Sequence, residues 1–133
     1  MSEGVLYLDS SAIIKLVFEE PETSSLSDFL RDWPARVSST VASVEVLRTA
    51  ALVDDELVKR HARAILARVH LVRPDDALLT EAARVEPASL RALDAIHLAT
   101  ALSLGHDLSG IVVYDRRLAD AARGAGLTVW APR

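Results

Sequence analysis

Val5-Leu6-Tyr7-Leu8 and Ile111-Val112-Val113-Tyr114 are apolar runs, each ending on an aspartate, Asp9 and Asp115, with a helical pattern beyond it. A run of roughly four to eight aliphatic and β-branched residues, bounded in this way, reads as a buried strand. Buried strands that alternate with helices constrain the chain to an α/β fold with a largely parallel sheet. In such sheets ligands bind beyond the carboxyl ends of the strands. Both aspartates occupy that position, and if their strands are neighbours both carboxylates enter one crevice.

The rest of the chain follows the same alternation. Val5–Asp9 is a strand, and Ser10 or Ser11 is placed to cap a helix from Ala12 to about Glu19, broken by Glu20-Pro21. A helix is expected over Glu22–Asp32, a brief strand over Arg36–Thr40 and a largely apolar helix over Val41–Val53. Asp54 or Asp55 opens a helix whose apolar stripe is Leu57, Val58, His61, Ile65, Leu66 and Val69. Leu71–Arg73 reads as a strand, and Asp75 or Asp76 caps a helix to about Val85. Leu90–Leu104 is the most apolar helix, ended by Gly105. Ile111–Asp115 is a strand, Arg116–Arg123 a helix and Leu127–Trp130 a last strand. With no repeat or linker, residues 1–133 read as a single domain.

Composition narrows the function classes. The chain has no cysteine, which excludes disulfides and thiolate metal sites and suits a reducing, cytoplasmic location. There is no apolar run long enough for a membrane span, and the start, Met1-Ser2-Glu3-Gly4, lacks the basic and apolar regions of a signal peptide. The net charge of −4 is not that of a protein that holds nucleic acid by charge alone. An acidic site can still reach phosphate through a divalent ion.

Four acids stand where acids are costly: Asp9, Asp115, and Glu45 and Asp94 within apolar helical stretches. Each has an ordinary explanation. The two strand-end aspartates can cap the following helices, Asp94 can favour a helix N-terminus, and Glu45 can pair with Arg48 three residues on. Together they demand more. Two carboxylates about 5 Å apart at an effective dielectric near 20 repel by roughly 3 kcal/mol. Converging acids therefore need a shared cation, and oxygen-only ligation suits Mg²⁺ or Mn²⁺.

Leu8-Asp9-Ser10-Ser11-Ala12, Glu45, Leu93-Asp94-Ala95-Ile96-His97-Leu98-Ala99-Thr100-Ala101 and Tyr114-Asp115-Arg116-Arg117-Leu118 resemble PIN domains, above all the VapC toxins of bacterial toxin–antitoxin pairs. The resemblance covers essentially the whole chain, and the segment around Asp94 is its most specific part. It implies a PIN-like α/β/α sandwich on a mainly parallel sheet. It implies that Asp9, Glu45, Asp94 and Asp115 bind Mg²⁺, or Mn²⁺, and catalyse endoribonucleolytic cleavage of tRNA or rRNA. It further implies a cognate antitoxin and a homodimer. Ser11 matches a small hydroxyl residue that helps order the site, and it is a candidate for substrate contact. One departure is Val113, where many relatives carry Thr or Ser two positions before the fourth acid. That loss is expected to weaken metal binding at Asp115, for which Asp120 is a substitute.

Other residues have competing readings. His97 either assists the chemistry or, the favoured reading, is packed and bonded to a backbone group. Arg91, Arg116 and Arg117 are candidates to grip RNA phosphates, Arg116 foremost because it follows the strand-end acid. Lys59, Arg60, Arg63 and Arg68 read as a solvated face, and Trp33 and Trp130 as core or edge aromatics. The apolar residues of Ala12–Phe18 and Leu26–Leu30 suggest a docking surface for a partner or a second copy. Val113 also motivates an alternative function, a PIN-like module that binds antitoxin or RNA without cutting. A haloacid-dehalogenase-type phosphotransferase is set aside because position 11 is Ser rather than a second Asp. A receiver domain fails because Lys15 and Lys59 are the only lysines.

Overall fold

The computed structural model describes residues 2–133; Met1, the first residue of the acidic start, lies outside them. Strand β1 (Val5–Leu8) leads into helix α1 (Ser10–Val17) and then α2 (Thr23–Leu30). Strand β2 (Arg36–Ser39) leads into α3 (Thr40–Ala51) and α4 (Glu56–Leu66). Strand β3 (His70–Val72) is followed by α5 (Asp76–Ala82) and α6 (Ala92–Ser103), and a short 3₁₀ turn precedes β4 (Leu108–Val112). Helix α7 (Arg116–Gly124) and strand β5 (Val129–Trp130) complete the chain. The strands form one parallel sheet in the order β3-β2-β1-β4-β5.

The alternation of side chains along each strand builds two layers. Leu6, Leu8 and Val112 face one way, into a core with Ile13 and Val17 of α1, Leu26 and Leu30 of α2, Val46 of α3 and Leu66 of α4. Tyr7, Ile111 and Val113 face the other way, against Leu98 and Ala101 of α6 and Leu118 and Ala122 of α7. The result is an α/β/α sandwich. The chain moves from β1 outward to β2 and β3, then returns to the opposite side of β1 with β4. That reversal falls between β1 and β4, where an open parallel sheet leaves a crevice for ligands.

The structure moves several expected boundaries. β4 begins three residues before Ile111, because Ser109 and Gly110, a turn signal in isolation, here continue the strand. A Cβ on Gly110 would stand 2.3 Å from the Trp130 ring and 2.8 Å from the Thr128 carbonyl oxygen. The glycine is thus required by the close approach of β5 and its indole. Gly110→Ala is expected to cost about 1–3 kcal/mol, as overpacking against backbone does, read as a fall in the urea midpoint. An unchanged midpoint would show that β5 can move aside.

The cap of α1 is Asp9 itself, not Ser10 or Ser11. Helix α6 begins at Ala92 rather than Leu90, and α5 stops at Ala82 rather than Val85. Leu57 is exposed at the start of α4, and His61 is exposed as well, so neither belongs to that helix's buried stripe. The apolar residues of α1 and α2 are largely absorbed by the core. Among the described residues, large apolar side chains are instead exposed on α3, on α4 and in the turn between them: Val44, Leu52, Val53 and Leu57. Trp33 and Trp130 close the sheet edge, with ring centroids 5.6 Å apart and Phe29 against both.

Candidate active site

Strand β1 ends at Leu8, and the Asp9 N–H donates to Val112 O at 3.0 Å, which locks the end of β1 to the end of β4. Asp9 then caps α1: its Oδ2 accepts from the Ser11 N–H at 3.2 Å and from the Ser11 hydroxyl at 2.7 Å. The same hydroxyl accepts from the Tyr114 N–H at 2.9 Å. Ser11 thereby ties the first acid to the segment that leads into Asp115. Its one proton is committed to Asp9, an ordering role of the kind the resemblance implies.

Asp115 also caps its helix, its Oδ1 accepting from the Leu118 N–H at 3.0 Å. Capping is therefore part of what both strand-end aspartates do, but each uses only one oxygen for it. The other oxygen of Asp9, Oδ1, is buried and has no hydrogen-bond partner. An unpaired buried carboxylate oxygen is costly, and capping does not account for it. Asp115 Oδ2 lies 3.5 Å from the Arg91 guanidinium.

Asp94 sits in the first turn of α6, where the helix dipole favours an acid. Its Oδ2 is 3.3 Å from Arg91. Even so, its pKa is raised above the ordinary carboxylate value, first by burial and then by the charge of Asp9, with Asp115 adding to it. An acid placed merely to complement a helix end would be shifted down. The upward shift records an acid that is buried and held near Asp9 and Asp115.

Glu45, on α3, does not pair with Arg48. Its Oε1 lies 2.7 Å from His97 Nε2. His97 is fully buried, as expected of a packed histidine, but its partners are side chains and not backbone: Glu45 on one nitrogen, Tyr7 Oη at 2.7 Å on the other. The Asp9 Oδ1 oxygen is 3.6 Å from the same Nε2. Burial opposes a charge on the ring. The hydrogen bond to Glu45 and the charges of Asp9, Glu45 and Asp94 outweigh it, and the His97 pKa is raised.

The four acids thus fall into two pairs: Asp9 and Glu45 around the His97 ring, Asp94 and Asp115 around the Arg91 guanidinium. Among the described residues, no three His, Asp or Glu side chains stand close enough to enclose a metal as they are placed here. Arg116, the arginine favoured from sequence, is exposed and pairs with no acid among the described residues, whereas Arg91 reaches two. Asp120 is exposed and pairs with Arg123, so it does not stand in for Asp115. Val113 is buried in the α6–α7 layer, and Asp115 is ordered by its cap and by Arg91 instead. An apolar groove of about 920 Å³ lies between α6, α7 and the segment before α6, lined in part by Val85, Leu90 and Leu102, but none of the four acids lines it.

A parallel sheet whose strand-end acids meet two helix-borne acids at the switch point is the arrangement of a PIN domain. The PIN domain family model matches residues 6–124, and the chain belongs to that family. Within it the likeness is to the VapC ribonucleases. The chain is 47% identical over 129 residues to Ribonuclease VapC46 of Mycobacterium tuberculosis, covering 97% of this chain and 98% of that protein. It is 33% identical to Ribonuclease VapC47 of the same species, covering 96% and 97%. In fold it is similar to a toxin–antitoxin complex chain from Klebsiella pneumoniae, with a TM-score of 0.73 at 20% identity over 96% of this chain and 98% of that one. It is also similar to VapC20 of Mycobacterium tuberculosis, a sarcin–ricin loop cleaving toxin, with a TM-score of 0.69 at 16% identity over 92% and 96%.

Proposed function

We propose that this chain is a metal-dependent endoribonuclease acting as the toxin of a toxin–antitoxin pair in the cytosol, with Asp9, Glu45, Asp94 and Asp115 holding Mg²⁺ or Mn²⁺. The observation that carries the metal reading is the buried Asp9 Oδ1, which has no hydrogen-bond partner, on an acid whose charge helps raise the Asp94 pKa. The donor set fits: all the candidate ligands are carboxylate oxygens, the preference of a hard divalent ion. A bound ion would neutralise the acids, activate water and stabilise charge on a phosphodiester.

The chain's own residues account for the rest of the chemistry. Asp9 is fixed by Ser11, Glu45 by His97, and Asp115 by the Leu118 N–H, so three acids are oriented before any ligand arrives. Arg91 is exposed, and its guanidinium lies over the acidic pair. It is therefore placed to leave Asp94 and Asp115 for an RNA phosphate, with which it can form paired hydrogen bonds. Arg116, exposed next to Asp115, is a second phosphate contact. With a net charge of −4 the chain has no bulk attraction for RNA, so structured tRNA or rRNA would be recognised by shape and local contacts. The name of the VapC46 relative, a ribonuclease, supports this reading at 47% identity. The exposed Val44, Leu52, Val53 and Leu57 supply apolar surface for an antitoxin or a second copy.

The purified chain is expected to cut total tRNA or rRNA at discrete positions with Mn²⁺ or Mg²⁺ and to leave it intact in EDTA. Cleavage unaffected by EDTA would overturn the metal dependence. RNA binding without cleavage under any divalent ion would favour the non-cutting module instead.

A further inference from the structure

Tyr7 and His97 are both fully buried polar side chains, bonded to each other between the sheet and α6. A phenylalanine and a leucine would fill similar space without burying polar atoms. Buried polar groups are costly unless fully partnered, so this pair calls for a reason at its location. Tyr7 is two residues before Asp9 on β1, and His97 three residues after Asp94 on α6. Glu45, which His97 contacts, is on α3. One hydrogen-bonded chain therefore joins the three elements that carry three of the four acids.

The direction of its bonds follows from the partners. Glu45 and Asp9 present carboxylate oxygens to Nε2, and an ionised carboxylate only accepts. Nε2 must carry a hydrogen in either state of the ring. In the neutral ring Nδ1 is then the acceptor, and the Tyr7 hydroxyl donates to it. Tyr7 thus selects the tautomer whose Nε2–H points at Glu45. Without that donor Glu45 has an alternative partner in Arg48, three residues along its own helix and exposed.

We infer that His97, oriented by Tyr7, is a positioning residue: its Nε2–H anchors one oxygen of Glu45 beside Asp9, prearranging the acids for a divalent cation. The inference rests on the metal reading above and deepens it.

The test compares His97→Leu, His97→Gln and Tyr7→Phe with the parent chain, without RNA. Mn²⁺ affinity is measured by calorimetry, melting in EDTA, and the His97 ring nitrogen signals by NMR on ¹⁵N-histidine-labelled protein. His97→Leu is expected to bind Mn²⁺ about 10–100-fold more weakly, the usual cost of removing a group that orients a ligand, and to melt lower in EDTA because the buried Tyr7 hydroxyl loses its partner. His97→Gln, whose amide N–H can replace Nε2–H, is expected to recover most of that affinity. Tyr7→Phe is expected to weaken Mn²⁺ binding and to move the ring nitrogen signals of His97 but not those of the exposed histidines. Equal Mn²⁺ affinity in His97→Leu and the parent overturns the inference, as does a His97→Gln variant no better than His97→Leu. If His97→Leu fails to fold, Tyr7→Phe decides: unchanged affinity and unchanged ring signals overturn it. A parent that binds no Mn²⁺ sinks the metal reading and this inference together, whereas a parent that binds and variants that match it sink this inference alone.

Discussion

Asp9→Asn is expected to fold as the parent does and to lose RNA cleavage by on the order of 10²–10³-fold, the scale of deleting one electrostatic contributor at a reacting centre. The substitution keeps the shape of the side chain and one carbonyl oxygen. That oxygen can accept from the Ser11 N–H and hydroxyl as Asp9 Oδ2 does, so the cap of α1 survives. What disappears is the charge and the second carboxylate oxygen, the one that is buried without a partner. If Asp9 were only a helix cap, the asparagine would serve nearly as well, since the two are about equal as N-caps. The experiment is a cleavage time course with Mn²⁺ for both chains, beside thermal melts in EDTA. A variant that melts like the parent and still cuts at the parent's rate would reduce Asp9 to a cap.

The strand-end acids were legible in the sequence because an aspartate directly after an unbroken apolar run has few other places to go. The same apolar runs made the parallel sheet readable. What sequence could not supply was the partner of each acid. His97 lies 52 residues from Glu45 and 90 from Tyr7 in the chain, so no local pattern links them, and a histidine in an apolar helix reads as an ordinary packed residue. Arg91 was eclipsed by Arg116 for a similar reason. Adjacency to Asp115 in sequence favoured Arg116, which is exposed at the start of α7 and pairs with no acid among the described residues. Arg91 immediately precedes α6, and from there it reaches both Asp94 and Asp115. The start of β4 was hidden because Ser109-Gly110 carries a turn signal locally and a close-packing requirement only once Trp130 is in place. The apolar content of α1 and α2 was visible, but burial depends on what the helices meet, and four helices cover that face of the sheet.

Asp94→Asn is expected to make the metal-free protein more stable and the metal-loaded protein inactive. The sign follows from the carboxyl's position. In the folded chain Asp94 holds its proton more tightly than in the unfolded chain, because burial and the charge of Asp9 disfavour ionisation more than Arg91 favours it. The folded state then binds more protons across the interval between the ordinary carboxylate pKa and the raised one, so stability falls as pH rises through that interval and stays reduced at neutral pH. The asparagine removes this load, and a gain of about 0.5–2 kcal/mol is expected, the usual range for a single stabilising substitution. It should appear as a higher melting temperature in EDTA at pH 7, with the difference from the parent vanishing at acid pH, where Asp94 is protonated anyway. Metal reverses the order. For the parent, Mn²⁺ at about 100 times its dissociation constant adds roughly 2.7 kcal/mol, and the variant should gain far less. A variant that melts below the parent in EDTA would mean that Asp94 stabilises the fold through Arg91 and the helix dipole. A variant that melts above it yet gains the parent's full increment from Mn²⁺ would remove Asp94 from the metal site. Only the crossing, more stable without the ion and less stable with it, fits an acid that is kept at a folding cost because the cation requires it.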